Sequence, residues 1–528
     1  MKALLIALLL STLAACQTGP ERASAPAAAK ALPAHPNILF IYTDDHANAA
    51  IGAYGSPVAL TPRIDRLASE GLRFDRAFCT NGICAPARAV VQTGKHSHVN
   101  GVRDNGDVFD PESSTFPKLL GAAGYQTALI GKWHLKSDPT GFDYWEVLPD
   151  QGQYYSPEFL RPGPDGATEK VQYPGYVTEV TTDLAIDWLD AGRDKDKPFL
   201  LMLQHKAPHR TWMPGPGQLD LFEDTTIPEP TTLFDDYANR ASGARNQEMT
   251  IARHMWLDYD LKVPPVPGEA AYDEPEGADR WAAGLTAPMS PTEHAAWDAA
   301  FGPRNLAYRA ARDAGQLEGD ALVRWKYQRY MKNYLRCIAS VDESVGRVLD
   351  YLEANGLAEN TLVVYSSDQG FYLGEHGWYD KRWMYEPSLR LPLIVRWPGV
   401  IDAGRTDEHL VQNLDFAPTF LAAAGVAVPD DMQGASLVPI LEGARDIPWR
   451  DSIYYEYFEV GIHNVPPHFG VRTERYKLIS YESLAEWELF DLETDPDELV
   501  SRYDDPALAG VRAELEAELV RLRAEYKR

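Results

Sequence analysis

The chain has 528 residues, with 50 Lys or Arg against 77 Asp or Glu, a formal charge of −27. At 45% hydrophobic and 24% charged residues it has the composition of a folded globular protein, and its length suits one large domain plus a smaller one. The acidic balance argues against a nucleic-acid partner, which needs a basic surface, and four Cys residues are too few for a disulfide framework.

Met1 and Lys2 form a short basic start, Ala3 to Leu10 are uninterruptedly apolar, and Leu13-Ala14-Ala15-Cys16 follows with small residues. This is too short to span a bilayer and reads as a secretory signal over residues 1–16. It resembles the bacterial lipobox, which implies lipidation of Cys16 as the only membrane attachment; Gln17 fits an outer-membrane destination, in the periplasm or at the cell surface. Residues 17–35 are Ala/Pro-rich without apolar period, as for a tether.

Asn37–Tyr42 is an apolar run suited to a strand buried on both faces, and it leads into Asp44-Asp45. Pro62–Gly71 and Pro117–Ala123 predict helices, and Gln126–Ile130 a strand ending in Gly131-Lys132-Trp133-His134. Pro198–Leu203 is another apolar strand, ending in Gln204-His205-Lys206-Ala207-Pro208-His209. Residues 210–330 are rich in Pro and Trp and lose the alternation; they read as an insertion, either lining a substrate cleft or forming a surface excursion with its own small core. Met331 to Leu352 follow helical spacing, Thr361–Tyr365 is a strand ending in Asp368-Gln369, and Leu391–Trp397 is a further strand after Lys381. Beyond about residue 445, Ile453–Phe458, Gly470–Ser480 and Trp487–Leu492 predict an antiparallel sheet, and Gly510–Lys527 a terminal helix. The pattern is that of an α/β protein with a doubly wound, mostly parallel sheet flanked by helices. A larger domain over residues 36–445 precedes a smaller C-terminal subdomain of antiparallel sheet plus helix over residues 446–528.

Polar clusters recur where strands end, the place where open α/β sheets bind ligands. Asp44, Asp45 and Asp368 with the amide oxygen of Gln369 make a hard oxygen set suited to Ca²⁺ or Mg²⁺ rather than zinc. Cys84-Ala-Pro-Ala-Arg88 is a Cys-x-Pro-x-Arg motif, and Gly124-Tyr-Gln-Thr-Ala-Leu-Ile-Gly-Lys-Trp-His134 follows it. Together these resemble the type I sulfatases of the alkaline-phosphatase-like superfamily, over roughly residues 36–500. The segment Asp368–Glu386 is most similar to N-acetylglucosamine-6-sulfatase-like and iduronate-2-sulfatase-like enzymes. Gln92 stands where the family more often has an apolar residue, and Gln369 where it more often has Asn or His.

The resemblance implies that a maturation enzyme oxidises Cys84 to formylglycine, that Cys84 in this form also faces the metal, and that a divalent cation is bound, Ca²⁺ ahead of Mg²⁺, with the choice between them left open. One hydroxyl of the hydrated aldehyde attacks sulfur, and deprotonation of the other re-forms the aldehyde and expels sulfate. Lys132 and Lys381 neutralise sulfate oxygens, His134 acts near the diol, His209 acts near the leaving oxygen, and Arg88 holds the diol and balances the carboxylates. His205 and His376 are expected to make substrate or supporting contacts at most. Cys79 and Cys337 read as structural, Cys337 lying on the apolar side of its helix; a Cys79–Cys84 disulfide, possible by spacing, is set aside under the resemblance because it would consume the nucleophile. The implied substrate is a sulfated carbohydrate: a glycosaminoglycan, mucin or algal polysaccharide fragment. Two alternatives stay open: a phosphonate monoester or phosphodiester hydrolase of the same superfamily, and a catalytically silent glycan-binding lipoprotein.

Overall fold

The computed structural model describes residues 35–269, 272 and 278–528. The signal peptide, Cys16 and the tether as far as residue 34 lie outside the described residues. Among the described residues, ten strands form one sheet in the order Arg405–Asp407, Leu72–Phe74, Leu393–Arg396, Thr361–Ser367, Asn37–Thr43, Phe199–Gln204, Gln126–Lys132, Tyr144–Leu148, Glu158–Pro162, Thr168–Gln172. The stretch from Thr361–Ser367 to Tyr144–Leu148 is parallel. Leu393–Arg396 and the Glu158–Pro162 and Thr168–Gln172 strands pair antiparallel at its sides.

The parallel strands are apolar throughout because both their faces are covered. Ile38, Phe40 and Tyr42 point into one core, shared with Ala85, Ala89 and Val91 of the Cys84–Thr93 helix and with Phe420 and Leu421. Leu39 and Ile41 point into the other, shared with Leu335, Ile338, Val341, Val345 and Val348 of the long helix Asp320–Ala354. That helix also supplies Asp342, whose carboxylate accepts the backbone N–H groups of Arg63 and Ile64 and so caps the helix Pro62–Glu70.

Three sequence expectations are corrected. The stretch 210–330 is partly helical, with helices Ala278–Thr286 and Pro291–Asp313, and the long helix already begins at Asp320 rather than after residue 330. The stretch does not form a core of its own: Trp212 and Trp297 are buried in the core of the long-helix face. Gly470–Ser480 is not one strand but a hairpin of His468–Thr473 and Tyr476–Tyr481. Its turn carries no Gly, Pro or Asn to announce it; the Thr473 hydroxyl closes it instead, accepting from Tyr476 N at 3.0 Å. With Ser452–Tyr457 and Glu486–Asp491 these strands form a four-stranded antiparallel sheet. The helix Ala509–Glu525 covers that sheet, with Leu515, Leu519 and Leu522 packed on Val471, Leu478 and Leu489.

Candidate active site

Parallel register brings four strand ends together: Thr43 lies beside Ser367, Tyr42 beside Gln204, and Gly131 beside Gln204. The residues that follow are therefore neighbours although hundreds of positions separate them. Asp45 (φ 67°) and His134 (φ 57°) occupy the left-handed region, turning the chain sharply as it leaves each strand. Gly131, at φ 107°, lets its strand approach the Gln204 carbonyl, where a Cβ would stand 1.8 Å from the oxygen. Opposite the strand ends, Cys84 is the first residue of the Cys84–Thr93 helix and Arg88 lies one turn further on.

Asp44, Asp45 and Asp368 are fully buried and each offers an oxygen within 4.8 Å of the others. Three cations compensate them. Lys381 Nζ donates to both Asp45 oxygens at 2.6 and 2.8 Å, and Lys132 Nζ donates to Asp44. Arg88 donates to Asp368 Oδ2 at 3.1 Å, to the Lys132 carbonyl at 2.7 Å and to Gln204 Oε1 at 2.7 Å. Cys84 Sγ, His209 and Asp44 also lie within 4.8 Å of one another. His209 Nδ1 donates to the Arg210 carbonyl at 2.6 Å, leaving Nε2 directed inward, 3.8 Å from Asp45 Oδ2.

Burial penalises every charge in this cluster, and the neighbouring charges decide the outcome. Against burial, Lys132, then His209 and Arg88, hold the Asp44 carboxyl well below the usual range. Burial pushes Asp45 up to about 6 despite Lys381. It pushes Asp368 up to about 8, with the Asp44 charge adding to the effect. Burial, then Asp44, pushes the Cys84 thiol up as well, so unmodified Cys84 is protonated and a weak nucleophile. Burial and Lys132 push His134 well below its ordinary value, and burial does the same to His209.

The donor set fits a hard divalent cation. Two of its buried oxygens, Asp44 Oδ1 and Gln369 Oε1, have no hydrogen-bond partner, an arrangement that leaves them available as ligands. The Gln369 amide nitrogen meanwhile donates to Asp45. With all three carboxylates ionised, as a bound cation would favour, the three cations make the protein part of the site close to neutral. A bound divalent ion would make it net positive, as an anionic substrate requires.

The structure thus gathers Asp44, Asp45, Cys84, Arg88, Lys132, His209, Asp368, Gln369 and Lys381. His134 stands among the same charges, with Nδ1 buried and unpartnered. His205 and His376 fall elsewhere: His205 meets Ser344 Oγ at 3.0 Å, and His376 meets Asp235 and Arg240. Among the described residues Cys79, Cys84 and Cys337 are free and buried. Gln92 is buried with its Oε1 unpartnered. Two contributors were not singled out from sequence. Gln204 accepts from Arg88, and its only signal is a polar residue closing an apolar strand. Tyr334 donates its hydroxyl to the Asp45 carbonyl at 2.7 Å and accepts from Ala47 N at 2.9 Å; within an amphipathic helix it gave no signal.

The sulfatase family model matches residues 36–426, and the model for the N-sulphoglucosamine sulphohydrolase C-terminal region matches residues 374–525. The chain is 45% identical to the N-acetylglucosamine-6-O-sulfatase of Bacteroides thetaiotaomicron, over 93% of this chain and 87% of that protein. It is 26% identical to the human N-acetylglucosamine-6-sulfatase, over 80% of this chain and 67% of that one. A solved structure of a protein in complex with its substrate D-glucosamine-2-N,6-O-disulfate superposes with a TM-score of 0.88 at 46% identity, covering 93% of this chain and 98% of the other. With the site's geometry, these likenesses place the chain in the sulfatase family of sulfuric ester hydrolases.

Proposed function

We propose that this sulfatase removes the 6-O-sulfate from N-acetylated or N-sulfated glucosamine of a glycosaminoglycan fragment, using formylglycine made from Cys84 and a bound Ca²⁺. The observation that carries the mechanism is the pairing of Asp44, Asp45 and Asp368 with Arg88, Lys132 and Lys381 beside Cys84. The sugar is supported by the relative at 45% identity and by the substrate bound in the structure at 46% identity.

Asp44, Asp45, Asp368 and Gln369 would hold the cation, which supplies charge neutralisation at a sulfate oxygen. Formylglycine would supply, as its hydrate, one hydroxyl to attack sulfur, its proton passing to a neighbouring site carboxylate, and a second whose deprotonation would release sulfate and restore the aldehyde. Lys132 and Lys381 donate to the remaining sulfate oxygens, where charge builds as the ester bond breaks. His209, its Nδ1–H held by the Arg210 carbonyl, presents Nε2 to the departing sugar oxygen and gives it a proton from the doubly protonated ring, a form that Asp44 favours against burial, and His134 takes the proton of the second hydroxyl. The buried, protonated Cys84 thiol cannot serve as it stands, which favours its conversion.

Export by the 1–16 signal and attachment through lipidated Cys16 belong to the same proposal. Replacing Cys16 with Ala should move the protein out of the membrane fraction. The decisive experiment couples peptide mass spectrometry across Cys84 with kinetics on glucosamine 6-sulfates, on an isomer sulfated at another hydroxyl, and on a phosphonate monoester. Formylglycine with preference for the 6-sulfate supports the reading. Preference for the phosphonate supports the hydrolase alternative, whose fold likeness is real: a phosphonate monoester hydrolase of Agrobacterium radiobacter superposes with a TM-score of 0.64 at 22% identity. An unmodified thiol in protein from its own host would leave only glycan binding.

A further inference from the structure

The loop after the Tyr144–Leu148 strand contains none of the motif residues, yet it grips two buried ammonium groups. Gln151 Oε1 accepts from Lys132 Nζ at 2.5 Å, and the carbonyl of the same residue accepts from Lys206 Nζ at 2.9 Å. Lys206 is 4% exposed and its Nζ lies 4.7 Å from the centroid of the Tyr154 ring. Tyr154 in turn donates its hydroxyl to the His209 carbonyl at 2.6 Å. A few consecutive residues therefore touch Lys132 on one strand end and the segment carrying His209 on the next.

An ammonium carries three protons. On Lys132 one goes to Asp44 and one to Gln151, and with both acceptors fixed the direction of the third is fixed as well. A donor already aimed at developing charge is worth far more than one that must reorient during the reaction. Without the Gln151 oxygen, Lys132 would have two unassigned protons on a flexible four-carbon stem, and nothing in the loop would oppose its settling onto Asp44.

We propose that Gln151 is a positioning residue that aims Lys132 at the sulfate group, and that Lys206 is the anchor that fixes Gln151. This rests on Lys132 being a sulfate-binding cation, as proposed above. The test compares four variants with the wild type: Gln151→Met, which keeps the length but loses the acceptor; Gln151→Glu, which restores one; Lys206→Met, which keeps an apolar stem over Tyr154; and the double Met variant. Each is measured for kcat and KM on glucosamine 6-sulfate, inhibition by inorganic sulfate, formylglycine content and thermal midpoint.

At unchanged formylglycine content, Gln151→Met should lose about tenfold or more in kcat, with KM moving less than about threefold. Gln151→Glu should recover most of the loss, and sulfate should inhibit Gln151→Met more weakly than the wild type. Lys206→Met should show a smaller loss of the same kind. The double variant should be no worse than Gln151→Met, because the two groups act along one path. A kcat within about twofold of wild type in Gln151→Met, no rescue by Glu, or losses that multiply in the double variant would each overturn the proposal. If Gln151→Met fails to fold, Gln151→Asn withdraws the acceptor by one methylene without adding volume and carries the same expectation. Lys132→Ala separates the two levels: dead Lys132→Ala with normal Gln151→Met refutes only the positioning role, whereas active Lys132→Ala refutes the mechanism beneath it.

Discussion

Arg88→Met tests whether charge compensation holds the site together. Arg88 is 2% exposed, and its guanidinium serves Asp368 Oδ2, Gln204 Oε1 and the Lys132 carbonyl while lying 5.2 Å from the Tyr42 ring centroid. Methionine fills most of the volume, so the loss is chiefly electrostatic. Leaving Asp368 without its cation costs about 3–5 kcal/mol, and each neutral acceptor left bare costs about 1–3 kcal/mol. Proton uptake by Asp368, which burial already favours, recovers part of this. In metal-free protein we expect a net loss of about 4–6 kcal/mol. A divalent cation would replace the missing positive charge, so calcium should stabilise the variant more than the wild type. Urea unfolding at pH 8, in chelator and in calcium, measures both effects. A metal-free loss below about 1 kcal/mol, or equal stabilisation of the two proteins by calcium, would refute the reasoning.

Three further outcomes follow from the same geometry. Gly131→Ala should fail to give soluble active protein, or lose more than about 3 kcal/mol, because its Cβ would stand 1.8 Å from the Gln204 carbonyl at a φ of 107°. Gly124→Ala, at φ 96° with nothing within 4 Å, should cost only about 1–2 kcal/mol; soluble yield and melting curves compare them. Chelation should abolish sulfate release while lowering the thermal midpoint only modestly, since Arg88, Lys132 and Lys381 already compensate the carboxylates; a collapse of the fold in chelator would show that compensation to be insufficient. Burial pushes His468 down to about 4 and His205 down to about 3. The unfolded chain therefore binds more protons between those values and about 6.5, and stability should fall as pH drops through that window. His468→Gln should flatten the slope, because protonating His468 would break its acceptance of Met384 N at 3.1 Å; urea midpoints from pH 4 to pH 7 provide the check.

Much of the site could be read in the sequence because its residues are short-range signals attached to strong elements. An apolar run such as Asn37–Tyr42 announces a strand covered on both faces, and Asp44-Asp45 directly after it cannot be buried without cations. The Cys84–Arg88 motif and the Gly124–His134 motif each place their chemistry within one turn or one strand end. Glu158–Pro162 and the edge strand Thr168–Gln172 close one side of the sheet, where little burial leaves only a weak pattern. The Thr473–Tyr476 turn was hidden because a side-chain hydroxyl did what Gly or Asn usually does.

What the sequence determined by itself was the inventory: which carboxylates, cations, imidazoles and thiol stand at strand ends, and hence the class of chemistry. Which cation pairs with which carboxylate was decided only by tertiary structure. Asp45 and Lys381 are 336 positions apart, and their contact depends on parallel register and on the direction of a loop no local pattern specifies. The same holds for Gln204, Tyr334 and Gln151, ordinary residues at ordinary places in the chain. Their roles arise from what the fold sets opposite them: a guanidinium, a backbone carbonyl and an ammonium, each buried where an unmatched polar group is costly.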